Sequence, residues 1–401
     1  MDVMPAATSD VRIATGGTFV DLDERIPLAR PRIGDAGSVL QRIAGALASG
    51  SLTDGATVRE LEDAAAGYLG VRHCIAVASC TTGLMMVIRA AGVTGTIVMP
   101  SFTFVATAHA AAWNGCEPAF ADIDAGRLTL DPESVALAIH TRTGAILATH
   151  LYGAPADAEA LEDLASRHGI RLFFDAAHAF GAERHGRRVG GFGDAEVFSL
   201  SPTKPLVAAE GGLIATDDDL LAERCRTARA YGHPGDYDAR FVGLNGRMSE
   251  LHAAVALGSL SDLEARLRSR SRLAEAYRAA LDGVDGISFP TIDASDRSTF
   301  KDLTILVDAQ ESGITADQLA AALGASGIET RRYYSPPVHR MAAYRAVARR
   351  PVPLPVTERA AREAVSLPLW DSMDDDTLER VTSSIREIVE EHRVARGIST
   401  G

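Results

Sequence analysis

A lysine set between two apolar runs is the residue of this chain best placed for covalent chemistry. Lys204 follows Phe198-Ser199-Leu200-Ser201-Pro202-Thr203 and precedes Glu210-Gly211-Gly212, which opens the run Leu213-Ile214-Ala215. An amine held at the edge of a buried sheet loses proton affinity, becomes a nucleophile near neutral pH and can form an imine with an aldehyde. Ser199, five residues upstream, puts a hydroxyl where it can hold the phosphate of such an aldehyde. A second stretch, Phe173-Phe174-Asp175-Ala176-Ala177-His178, places a carboxylate directly after a buried run. That carboxylate asks for a cation, and a protonated pyridine nitrogen would serve. His178, three residues on, falls on the side of Asp175 if the turn is helical, within reach of a ring hydroxyl. A third stretch, Ser79-Cys80-Thr81-Thr82-Gly83, leads from an apolar run into a helix and offers free backbone N–H groups to an anion. Phe104, before another helix, offers a face to a flat ring. Each of these has a structural alternative: a solvated surface lysine, an Asp or Ser that caps a helix, a His or Phe that fills the core.

The elements that must carry these residues alternate. Apolar strand-like runs at 74–78, 96–100, 118–122, 145–150, 171–174, 196–200 and 213–216 are interleaved with helical patterns at 84–91, to about 114, at 131–139, 156–168 and 218–229. Such alternation implies a mostly parallel sheet covered by helices on both faces, with ligands bound beyond the C-terminal ends of its strands. Before it, 39–48 has helical spacing. Thr57 with Glu60 reads as a capping box for a helix to residue 68. After it, the loop 243–250 leads into a long helix at 251–277, within or after which a second domain begins. A strand at 300–307, a helix at 315–323, a proline-rich turn around Tyr333, Tyr334 and His339, and an amphipathic helix at 375–391 complete the chain. Residues 1–30 lack periodicity and read as a lead or an arm across a partner.

At 401 residues, the chain is long enough for two lobes, and 46% apolar with 23% charged residues is ordinary for a globular protein. A net charge of −13 argues against nucleic acid or an anionic membrane as the main partner. Cys74, Cys80, Cys116 and Cys225 show no paired or metal-ligand spacing, so no metal site is expected. With no secretory leader pattern and no membrane-length apolar stretch, a reduced cytoplasm is the expected location.

Taken in order, Asp175, His178, Ser199 and Lys204 resemble the signature of the DegT/DnrJ/EryC1/StrS family of pyridoxal-phosphate sugar aminotransferases, over residues 30–390. The resemblance implies an aspartate-aminotransferase-like α/β fold of type I. Its large domain (31–265) has a mostly parallel seven-stranded sheet, and a smaller α+β domain (266–401) follows. It assigns Asp175 to the pyridine nitrogen, His178 to the ring hydroxyl, Ser199, Cys80 and Thr81 to the phosphate, and Lys204 to the cofactor aldehyde. Pro100-x-x-Thr103-Phe104 looks like the stacking motif. Asn245-Gly246-Arg247-Met248-Ser249 looks like the loop whose Asn reaches the phosphate of a neighbouring subunit, which implies a homodimer with shared sites. Arg247, Tyr333, Tyr334 and His339 are candidate substrate residues. The chain departs from the pattern at Cys80, where Gly is usual, at Pro205, where Asn is common, and at Gly246, where Tyr is usual. Gly246, with Tyr-Tyr-x-Pro-x-x-His-Arg-Met and Leu-Pro-Val-Thr-Glu-Arg, is most similar to the subgroup acting at C4 of dTDP-4-keto-6-deoxyhexoses.

The implied reaction moves an amino group from L-glutamate to a nucleotide-linked keto sugar, with both substrates using one pocket in turn. Two rivals stand beside it. A sugar dehydratase of this kind carries histidine at the lysine position, against Lys204. A regulatory protein could bind the cofactor without turnover. An NAD enzyme lacks its Gly-x-Gly-x-x-Gly after the first strand.

Overall fold

The computed structural model describes residues 25–346, 349 and 351–396; residues 1–24 of the expected lead lie outside them. Residues 26–28 are no free arm. Ile26 is buried and pairs with Ile328, and the Leu28 carbonyl accepts the N–H of Leu369.

Two helices come first, α1 (Ala36–Ser49) and α2 (Ala56–Leu69). The expected Thr57–Glu60 capping box does not form: Gly55 is the N-cap of α2, without a side-chain bond. Instead the carboxylate of Glu250, about two hundred positions along the chain, accepts from the N–H groups of Gly55, Thr57 and Val58. A distant carboxylate thus satisfies donors that a helix start leaves unpaired.

The alternating region follows as β1 (His73–Val77), α3 (Cys80–Ala90), β2 (Thr96–Pro100), α4 (Val105–Trp113), β3 (Glu117–Ala121), α5 (Pro132–Ala138), β4 (Thr143–Thr149), α6 (Ala158–His168) and β5 (Arg171–Asp175). A small hairpin, β6 (Glu183–Arg184) and β7 (Arg187–Arg188), leads to β8 (Ala195–Ser199), β9 (Gly212–Thr216) and α7 (Asp219–Arg229). Seven strands form one sheet in the order β1-β9-β8-β5-β4-β2-β3, as expected for an α/β fold of type I. It is parallel except for β9, which runs antiparallel to both neighbours. Strands buried on both faces read as continuous apolar runs, which is how Leu172-Phe173-Phe174 and Leu213-Ile214-Ala215 appear in the sequence. Two hydrophobic cores cover the faces, one centred on Phe174, Phe198 and Phe180, the other on Phe173, Phe120 and Met99.

The helix expected over 251–277 is two helices, α8 (Glu250–Leu260) and α9 (Leu263–Ala280), broken at Ser261 and Asp262. Arg266 binds the Asp262 carboxylate and the Ser259 carbonyl across the break. A third core gathers the C-terminal elements. They are β10 (Ile287–Ser288), β11 (Leu303–Val307), α10 (Ala316–Ala325), β12 (Ala364–Leu367) and α12 (Asp375–Ala395), with β10-β11-β12 an antiparallel sheet, while α11 (Pro355–Glu363) packs through Ala360 and Ala361 into a fourth core with Phe102, Tyr152 and Tyr334. Among the described residues, no helix is long and apolar enough to cross a membrane.

Candidate active site

Register brings the sequence motifs to one edge of the large sheet. Val77 and Ser199 both pair with Gly212, Thr149 pairs with Asp175, and Asp175 pairs with Val197. The C-terminal ends of β1, β4, β5 and β8 therefore lie side by side. Gly212 is required there: a Cβ on it would lie 2.7 Å from the Cys80 nitrogen, so β9 passes directly beneath the start of α3.

That start is N-capped by Ser79, whose Oγ accepts from Thr82 N at 3.1 Å. The first backbone N–H groups of α3, on Cys80 and Thr81, carry no intrahelical bond by helix geometry and suit an anion. The Cys80 side chain turns the other way. Its sulfur is 3.4 Å from the Val197 carbonyl and 3.8 Å from Asp175 Oδ1, so only the backbone of Cys80 remains for a phosphate. Ser199, at the end of β8, directs its hydroxyl to Ser201 at 3.3 Å.

Asp175 is 4% exposed and, among the described residues, has no ion-pair partner. Burial raises its pKa, opposed first by the Thr107 hydroxyl at 2.7 Å and then by the Ala177 N–H at 3.2 Å. A buried carboxylate supplied with donors and with the Lys204 charge nearby, but with no cation in contact, fits the protonated nitrogen of a pyridine ring. His178 lies in the turn after β5 and its Nδ1 accepts from the Tyr152 N–H at 3.2 Å. Burial, then Lys204 and Lys301, hold it well below the usual histidine range, so the ring is neutral with its proton on Nε2. Lys204 sits in the 201–208 turn, where burial first and the Lys301 charge second push it down to about 8. Phe104, the N-cap residue of α4 and one turn before Thr107, is 57% exposed, which leaves a face for stacking.

The other candidates separate. Asn245 Oδ1 accepts from Arg247 Nε at 3.3 Å, the guanidinium lies 5.5 Å from the centre of the Tyr231 ring, and Asn245 is exposed. At Gly246 a Cβ would meet the tip of a flexible side chain, Met86 Cε at 1.8 Å, with Thr82 Cγ2 next at 3.3 Å, so a larger residue here requires Met86 to turn aside. Tyr334 is buried against Phe102 and Phe104, and the Tyr333 carbonyl accepts from the Tyr152 hydroxyl. His339 does not offer itself to a substrate. It is 2% exposed, and its ring nitrogens engage Ser101 Oγ and Glu358 Oε1, each at 2.7 Å, so it clasps the end of β2 to α11.

Sequence reasoning missed Lys301 and Asp302, a buried ion pair 2.7 Å apart beside the Tyr333 ring. Arg270 fixes this segment by binding the carbonyls of Thr299, Phe300 and Lys301. A charged doublet opening the apolar run Leu303-Thr304-Ile305-Leu306-Val307 is the mark that could have found it.

Comparison with known proteins finds likenesses over most of the chain. The DegT/DnrJ/EryC1/StrS aminotransferase family matches residues 35–386. The chain is 34% identical over 370 residues, 92% of its length and 99% of the relative's, to the UDP-2-acetamido-2-deoxy-3-oxo-D-glucuronate aminotransferase of Pseudomonas aeruginosa. It is 33% identical, over 92% of its length and 97% of the relative's, to a pleiotropic regulatory protein of Geobacillus stearothermophilus. Among solved structures it is similar to DesI in the presence of its TDP-sugar product, with a TM-score of 0.89, 38% identity and coverage of 94% of this chain and 97% of that one.

Proposed function

Because the chain belongs to the DegT/DnrJ/EryC1/StrS aminotransferase family and is a pyridoxal-phosphate-dependent nucleotide-sugar aminotransferase, we propose that it aminates C4 of a dTDP-4-keto-6-deoxyhexose with L-glutamate as donor. The observation that carries the sugar class is the full-length likeness to DesI with its TDP-sugar product, joined to the Gly246 loop and the Tyr333-Tyr334 turn. Four buried cysteines without a disulfide suit a reducing cytoplasm.

Bound pyridoxal phosphate supplies an aldehyde for an amine and a ring that accepts the electron pair of a broken C–H bond. The residues of the chain prepare that chemistry. Asp175 holds a proton at the ring nitrogen, and His178 presents Nε2–H to the ring oxygen. The N–H groups of Cys80 and Thr81, with the Ser199 hydroxyl, hold the phosphate. Lys204, lowered to about 8 by burial and so partly neutral close to neutral pH, is the base that would accept the proton of the substrate's α-carbon and, once protonated, the acid that would deliver it. Asn245 completes the phosphate site from a partner subunit.

Incubation with L-glutamate and a panel of dTDP- and UDP-linked 3-keto and 4-keto sugars, read by mass, tests the reading. Amination of a 3-keto or UDP-linked sugar in preference to the dTDP-4-keto sugar overturns the C4 assignment. The likeness to a regulatory protein favours a second reading, cofactor binding without turnover. A glutamate half-reaction that converts the bound cofactor in one turnover excludes it.

A further inference from the structure

Behind Asp175 lies a line of hydroxyls that the roles above do not use. Thr107 Oγ1 is 2.7 Å from Asp175 Oδ2, Thr103 Oγ1 is 3.0 Å from Thr107 Oγ1, and Thr149 Oγ1 is 3.2 Å from Thr103 Oγ1. The threonines are 0%, 1% and 6% exposed and come from the first turn of α4, the turn before it and the end of β4. An ionised carboxylate can only accept, so the Thr107 hydroxyl must donate its one proton to Asp175. Its oxygen then receives from Thr103, which receives from Thr149. The charge at one end sets the direction of the whole chain, and bonds polarised in one direction strengthen each other.

We propose that the Thr149–Thr103–Thr107 chain is a positioning device that keeps Asp175 ionised and aimed, so that it can hold a proton on the cofactor's ring nitrogen, with Thr107 the decisive member. This rests on the aminotransferase reading. The need for such a device follows from the surroundings. Asp175 is enclosed by Phe174, Ala176 and Val197, a setting that favours the neutral acid. A neutral acid could not keep the pyridine nitrogen protonated. The other groups that favour its charge are the Ala177 N–H, the Lys204 ammonium and the Cys80 thiol. Lys204 loses its charge as the site becomes active, and the thiol is a weak donor at 3.8 Å. The hydroxyl at 2.7 Å is the short, charge-assisted contact that persists. Packing alone does not require it, since valine fills the same volume as threonine.

Wild type, Thr107→Val, Thr107→Ser and Thr103→Val are compared as full chains. Two quantities are read: the dissociation constant for pyridoxal phosphate by absorbance titration, and the single-turnover change of its spectrum with L-glutamate across neutral pH. Thr107→Val should bind about tenfold or more weakly and react about ten- to a hundredfold more slowly, the effect of losing one charge-assisted hydrogen bond. Thr107→Ser should stay within about threefold of wild type and Thr103→Val should fall between them. Wild-type behaviour of a folded Thr107→Val overturns the proposal, as does Thr107→Ser impaired as deeply as Thr107→Val. Should Thr107→Val fail to fold, Thr103→Val decides, and its matching wild type overturns the chain. If glutamate leaves the wild-type spectrum unchanged, the aminotransferase reading fails, and the relay is then judged by infrared spectroscopy without cofactor. The band of a protonated buried carboxyl group should appear in the valine variant and be absent from wild type.

Discussion

Lys301 Nζ lies 2.7 Å from Asp302 Oδ1 in the packed segment beside the active-site lysine, and its charge repels that of Lys204. Removing the repulsion lets Lys204 hold its proton more tightly, so it becomes neutral only at higher pH. Lys301→Gln, which keeps a donor for Asp302, should move the acid limb of the glutamate half-reaction to higher pH. An unmoved limb would show that Lys301 has no electrostatic hold on Lys204.

The same depression has a consequence for stability. Lys204 titrates at about 8 in the folded chain, below the ordinary lysine value, so between those two pH values the unfolded chain binds more protons. The cofactor-free protein should therefore gain stability as pH rises above about 8, a gain that Lys204→Met lacks. Thermal unfolding of the two across that range makes the comparison, and parallel curves would contradict it.

Borohydride reduction of the protein with its cofactor, followed by peptide mapping, should label Lys204. Its turn sits between Ser199 and the close approach of Gly212 to Cys80, the place where aldehyde and phosphate can be held together. A label on another lysine, or on none, removes Lys204 from this role.

Asp175→Ala should retain some cofactor yet lose transamination by about 10³ or more, the scale for removing a preorganised charge partner. The measurement is single-turnover reaction with glutamate in a variant shown to be folded. Near-normal turnover would exclude Asp175 as the partner of the ring nitrogen.

Glu250 is 3% exposed and accepts from three backbone N–H groups at the start of α2, at 2.8, 2.8 and 3.1 Å. Glu250→Ala should cost about 2–3 kcal/mol, because it leaves buried donors unpaired. Glu60→Ala, at the residue the sequence pattern favoured as the cap, should cost about 0.5 kcal/mol or less, since its carboxylate binds Arg42 on the surface. Urea denaturation of both variants checks the ranking, and equal losses would refute the distant cap.

Mixing two inactive parents tests whether sites are shared between subunits. In a heterodimer of Lys204→Ala and Asn245→Asp chains, both lesions fall in one site and leave the other whole if Asn245 serves its neighbour. Activity should then appear on subunit exchange. Its absence, with heterodimers demonstrated, would sink the arrangement, as would a fully active monomer.

Much of this protein was legible along the chain because its signals are local. Strands buried on both faces must be apolar throughout, so the runs around Ile75, Phe173, Val197 and Ile214 marked the sheet, and the residues ending them marked its ligand edge. Lys204, Asp175, His178 and Ser199 were singled out for the same reason, each lying at the end of such a run or a few residues beyond it, whereas Asn245 came from the resemblance of its loop. What the sequence could not decide depends on contacts between distant segments. Thr57 and Glu60 satisfy a capping pattern that local spacing permits, but Glu250 reaches the same N–H groups with a buried carboxylate. His339 stood as a substrate candidate in the Tyr-Tyr-x-Pro-x-x-His-Arg-Met stretch, yet Ser101 and Glu358 engage its ring. Cys80 was read with the phosphate turn, whereas the sheet edge draws its thiol toward Asp175. Lys301, Asp302 and the threonines behind Asp175 carry no periodicity at all. Their roles exist only because folding removes them from water, where an unpaired charge or hydroxyl becomes costly and its few neighbours decide what it does.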